Sequence, residues 1–115
     1  MDSQSLVIIA VAAVAFGALW WLKRPDVSGV RARQLVADGA RLIDVRSAAE
    51  FAGAHLAGAR NIPVGDLAGR TAELGAKDAP IIVYCASGMR SAMAKRTLKS
   101  AGFTHVYNLG SMSNG

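Results

Sequence analysis

Cysteine is almost missing from this chain: a single one, Cys85, stands among 115 residues. That excludes an intramolecular disulfide, so the fold neither needs nor advertises an oxidising compartment. It also excludes an internal resolving thiol, which argues against a two-cysteine redox cycle and for handing any product to an outside acceptor. Histidine is nearly as scarce. His55 and His105 stand far apart with no cysteine or histidine at metal-ligand spacing, so no metal site is read and no cofactor is called for. Aromatic residues make up only 6% of the chain, and its basic residues are scattered and not interleaved with them, which speaks against nucleic acid as a partner. There is no internal repeat and no low-complexity tract.

Charge is present in surplus of one sign. The formal net charge is +5, and from Asp26 onward 11 Lys and Arg face 7 Asp and Glu, a net of +4. This balance suits small anionic substrates or an anionic membrane surface. The other surplus is apolar: residues 6–22 form a 17-residue run without a charge. As a helix it measures roughly 26 Å, slightly under a ~30 Å hydrocarbon core, and Trp20, Trp21, Lys23 and Arg24 extend it into the interface. The run therefore reads as one transmembrane helix, an uncleaved anchor over residues 1–25, because Asp2 and no basic residue precedes it, unlike a secretory signal. Positive charge only on its C-terminal flank puts the N-terminus outside and residues 26–115, one compact domain, in the cytoplasm.

Within that domain the chain alternates short apolar strands with helical patterns, which argues for a parallel α/β sheet with helices on both faces. Ser28 caps a helix carrying Val30, Leu35 and Val36 that stops at Gly39. Residues 42–45 read as a buried strand ending in Asp44 and Arg46. Ser47 and Glu50 stand at capping-box positions of a short helix. Residues 60–63 form a short strand, 64–74 a helix, 81–84 a central strand buried on both faces, and 105–109 the last strand. From Ser91 the period becomes helical, with Ala94, Leu98 and Ala101 on one face, Lys95, Arg96 and Lys99 off it, and Gly102 as terminator.

Cys85 sits where the central strand stops and a helix is about to begin. In parallel sheets the ligand crevice lies beyond this end of the strands. The first turn of a helix has unpartnered N–H groups and the positive end of the helix dipole. The loop Ala86, Ser87, Gly88 and Met89 can curl so that its amides converge as an anion-binding nest. A cysteine in such a nest, with a cation nearby, has its pKa lowered from about 8.5 to roughly 3.5–7.5. Cys85 is thus the candidate nucleophile, and Arg90 the group that holds a substrate's anionic end by bidentate hydrogen bonds.

These residues carry a resemblance. Cys85-Ala-Ser-Gly-Met-Arg90-Ser91 resembles the active-site loop of the rhodanese-type sulfurtransferases. Leu42-Ile-Asp-Val-Arg46, Glu50-Phe51, His55-Leu56, Gly58-Ala59 and Asn61-Ile-Pro63 resemble that family's upstream signature in order and spacing. Val106-Tyr-Asn-Leu-Gly110 resembles its last strand. Ala54 and Ala57 depart from the Gly and Pro common there, and Ser111-Met-Ser-Asn-Gly115 stands where relatives commonly continue with a second Gly and a Trp. The resemblance implies a rhodanese-like fold and a Cys85 that accepts sulfane sulfur from a small anionic donor such as thiosulfate and carries it as a persulfide to a thiol or cyanide acceptor. It implies substrate contacts from the amides of residues 86–90, from Ser87 and Ser91 and from Arg90, an entrance shaped by Met89, and structural support from Asp44 and Arg46. His55 is read as structural, since an ionised thiol needs no general base. A partner protein is a further acceptor. Two other readings stand beside this one: a membrane-tethered sulfur-relay or docking module with little activity alone, and a cysteine phosphatase. Phosphatase loops place five residues between Cys and Arg, where this chain has four, residues 86–89.

Overall fold

The computed structural model describes residues 3–115, apart from the side chains of Leu19, Trp20, Leu22 and Lys23. Its sheet has four parallel strands, β1 (Arg41–Asp44), β2 (Arg60–Asn61), β3 (Ile81–Cys85) and β4 (Val106–Ser111), in the spatial order β2-β1-β3-β4. The helices are α1 (Ser3–Lys23), α2 (Gly29–Ala37), α3 (Ala48–Gly53) and α4 (Met89–Ser100). Every residue of β3 is buried, as a central strand covered on both faces requires. Alternate residues serve opposite layers. Ile81, Val83 and Cys85 join Ile43, Ala94, Leu98 and Phe103 under α4, whereas Ile82 and Tyr84 join Leu42, Ala32, Leu35 and Leu109 under α2.

Local chemistry explains most boundaries. Ser28 Oγ accepts from the Arg31 N–H (3.1 Å) to start α2. Ser47 Oγ accepts from the Glu50 N–H (3.2 Å) while Glu50 Oε1 accepts from the Ser47 N–H (3.2 Å), a closed capping box for α3. At the far end of α4, Gly102 takes φ +100°, a value that favours glycine, and its N–H and that of Phe103 bond back to Lys99 and Leu98. A register shift between Val83 and Tyr84 in the β3–β4 pair lets the buried Asn108 fold back, its Oδ1 accepting from the Gly110 N–H at 2.8 Å.

Several expectations need correction. Residues 64–74 do not form one helix but two 3-10 turns, Leu67–Gly69 and Thr71–Leu74, because Gly65 and Gly69 weaken an α-helix and Arg70 between the turns leaves helical geometry at φ −123°. Val30 is exposed, and the buried residues of α2 are Ala32 and Leu35. Helix α4 begins at Met89, two residues before Ser91. Among the described residues, no helix is long and apolar enough to cross a membrane. The expected span over residues 6–22 is therefore not supported there: its closing residues Leu19, Trp20 and Leu22 lie outside the described side chains.

Candidate functional site

The two central strands end side by side, Asp44 of β1 in register with Tyr84 of β3. The order β2-β1-β3-β4 reverses direction between them, which is where open parallel sheets leave a crevice. Around this point the chain after β1 brings α3, and the chain after β3 brings the Cys85 loop.

Cys85 itself has no exposed surface. Its Sγ accepts a hydrogen bond from the Gly88 N–H at 3.0 Å, and its thiol donates to Ser91 Oγ at 3.3 Å. The Ser91 hydroxyl donates in turn to the Gly88 carbonyl at 3.1 Å, so on ionisation of the thiol it can rotate to donate to sulfur instead. This curl depends on Gly88, which caps α4 at φ +99°, ψ −14°. Burial pushes the Cys85 thiol up, but the Ser91 hydroxyl and the backbone N–H groups of Ser91, Gly88 and Ser87 outweigh it and hold the thiol below its ordinary value. Of the loop residues that follow Cys85, Ala86 and Ser87 are exposed and Met89 and Arg90 half-buried.

Arg90, expected to hold a substrate's anionic end, meets a carboxylate of the protein itself. Its guanidinium donates to Glu50 through two parallel bonds of 2.7 and 2.9 Å, and not to the sulfur. The Cys85 thiolate still acts on it through space and, together with Glu50, strengthens its hold on its proton. Glu50 is the residue that sequence reasoning missed at this site. Its capping-box position was legible, but its pairing with Arg90, 40 residues away, needs the β1–β3 pairing to exist. The Arg90 bond and the Ser47 bonds hold its carboxyl down to about 2.

Asp44 and Arg46 form a buried brace under α3. Arg46 donates to Asp44 Oδ1 and Oδ2 at 2.7–3.1 Å and to the Ala54 carbonyl at 2.6 Å, tying the end of β1 to the end of α3. Burial pushes Asp44 up, yet the Arg46 hydrogen bonds win and keep its carboxyl below the usual range. Tyr84 Oη accepts from the Leu56 N–H at 3.0 Å, and burial raises its phenol to about 12. His55 stacks on Phe51 with ring centroids 3.8 Å apart and bonds the Phe51 carbonyl through Nδ1 at 2.9 Å. Among the described residues no cluster of His, Cys, Asp and Glu can hold a metal ion.

The sheet and this loop make the chain an α/β protein with a buried cysteine at the turn from the central parallel strand into a helix, and an Arg five residues on. The chain matches the Rhodanese-like domain family over residues 30–114, and belongs to that family. It is 47% identical over 70 residues to the uncharacterized protein YqhL of Bacillus subtilis, 61% of this chain and 55% of that one, so it spans about half of that relative's length. It is 37% identical over 73 residues to the thiosulfate sulfurtransferase PspE of Escherichia coli, 63% of this chain and 70% of that one. Among solved structures, the human single-domain sulfurtransferase TSTD1 superposes with a TM-score of 0.67 at 32% identity, covering 79% of this chain and 94% of that one.

Proposed function

We propose that the chain is a sulfurtransferase working through a Cys85 persulfide. The Cys85 thiolate attacks the outer sulfur of a donor such as thiosulfate. A bond forms between the two sulfurs, the donor's own S–S bond breaks, and sulfite leaves with the bonding pair. A thiolate or cyanide acceptor then removes the outer sulfur and restores the thiolate, so no external oxidant or reductant enters. The observation that supports this most is the thiol held below its ordinary value by the Ser91 hydroxyl and the Ser91, Gly88 and Ser87 amides. The same donors suit the charge that spreads onto the persulfide, a preorganised arrangement of the oxyanion-hole type. Because Cys85 has no exposed surface, a donor enters by displacing part of the loop, in which Ala86 and Ser87 are exposed. The chain has no second thiol, so the acceptor is external, a small thiol or a thiol of a partner protein.

The test is the intact mass of the full chain after incubation with thiosulfate and removal of the excess. A gain of one sulfur atom, lost on adding cyanide and absent in Cys85→Ser, is expected. No gain in a protein whose Cys85 alkylates readily would sink the reading.

We further propose that α1 holds the domain at a membrane. Leu6, Val7, Ile8, Ile9, Val11, Val14 and Phe16 are all exposed around this helix, and a helix apolar on every side is stable only when something covers it. Extraction of cell membranes at alkaline pH should leave the chain in the pellet. Recovery in the supernatant would refute the anchoring.

A further inference from the structure

The Arg90–Glu50 pair joins a residue of the sulfur loop to a residue that has no need of it. Glu50 is already anchored by Ser47, whose N–H and hydroxyl donate to its Oε1 at 3.2 and 3.0 Å. These two bonds hold its carboxylate from within α3, independently of Arg90. It nevertheless fills the guanidinium fork of Arg90 with two oxygens at 2.7 and 2.9 Å, the geometry in which a guanidinium binds a sulfonate or other oxyanion. The pair is open to solvent, each side chain being 36% exposed. One fork is therefore shared between the Glu50 carboxylate and whatever oxyanion arrives from solution.

We propose that the Glu50 carboxylate is an internal stand-in for the anionic group of the donor, occupying the Arg90 fork in the resting protein and yielding it only to a competing oxyanion. Glu50 then acts as a specificity-determining residue. It admits donors that end in a strongly charged oxyanion, as thiosulfate does, and disfavours neutral or weakly charged ones. This inference rests on the sulfurtransferase reading. It is opposite in sign to the simpler view in which Glu50 merely steadies Arg90 for binding.

The test is Glu50→Gln in the full chain. Glutamine at this helix position closes the same capping box, so the fold is kept while the competing charge is removed. The KM for thiosulfate should fall roughly twofold to fivefold, the scale of an exposed charge pair, with the change concentrated in KM and not in kcat. Inorganic sulfate should protect Cys85 from iodoacetamide at correspondingly lower concentration. Glu50→Asp, which restores the charge, should return both values toward those of the parent. Should Glu50→Gln melt far below the parent, Ser47→Ala, which keeps the charge and removes the hydroxyl that anchors it along with the N-cap bond of α3, carries the same sign with a smaller effect. A higher KM in Glu50→Gln, or sulfate protection no better than in the parent, overturns the proposal. The protection measurement needs no turnover, so absence of a persulfide in the parent would strike the sulfurtransferase reading and leave this result legible.

Discussion

Gly88 concentrates the chemistry of the loop in one backbone unit, and replacing it with alanine separates that chemistry from stability. At φ +99°, ψ −14° an alanine suffers a Cβ clash worth roughly 1–2 kcal/mol. In a domain of this size that lowers Tm by about 5–10 °C. Relief of the clash requires the backbone to rotate, which turns the Gly88 N–H away from Cys85 Sγ, now 3.0 Å from it. A hydrogen bond to a charged group contributes about 1.5–3 kcal/mol. Three other donors, the Ser91 hydroxyl and the Ser91 and Ser87 amides, remain to compensate, so the lower end applies. About 1.4 kcal/mol is a factor of ten in thiolate population. The assay is the rate of Cys85 carbamidomethylation by iodoacetamide, followed by intact mass across pH. Gly88→Ala should react more slowly than the parent, by up to about tenfold at pH values where the parent thiol is mostly protonated, and the two should converge once both are fully ionised in strong alkali. Equal rates where the parent thiol is mostly protonated, in a variant whose Tm has fallen, would refute the role given to this amide. An unchanged Tm would refute the strain.

Other outcomes follow from the same structure. Asp44→Ala removes the partner of Arg46, itself only 6% exposed, and should lower unfolding stability in urea by about 3–5 kcal/mol. Leu98→Ala, at a fully buried position between α4 and the sheet, should cost about 2–5 kcal/mol in the same measurement. The carboxyls of Glu50 and Asp44 titrate below their ordinary range, so the stability they contribute is complete above about pH 4.5 and is lost as pH falls through their folded values, which for Glu50 is about 2. The urea midpoint should therefore decline across that acid window, and less steeply in Glu50→Gln.

What could be read from the residues divides by range. The Ser47–Glu50 capping box, the Ser28 cap and the Gly102 terminator are decided within four residues, and each appears where its pattern placed it. The buried run of β3 is legible because a strand covered on both faces has no polar alternation to mask it. Residues 64–74 were misread since Val64, Leu67 and Leu74 have helical spacing, while the two turns around Arg70 are set by packing under the sheet. Arg90 illustrates the longer-range loss. Its proximity to the loop was plain from spacing, but its hydrogen-bond partner comes from another strand–helix unit, and no local rule names it. The depth of Cys85 was equally hidden, because exposure depends on how α4 closes over the strand end.

The pairing of β1 with β3 across nearly forty residues carries a consequence for the nascent chain. While the C-terminal third is still being synthesised, α4 cannot pack Ala94 and Leu98 against the sheet, and the loop has no reason to curl. The cysteine of an unfinished or misfolded copy is then an ordinary thiol, mostly protonated near neutrality. The surroundings that hold the thiol below its ordinary value exist only in molecules that have completed their fold.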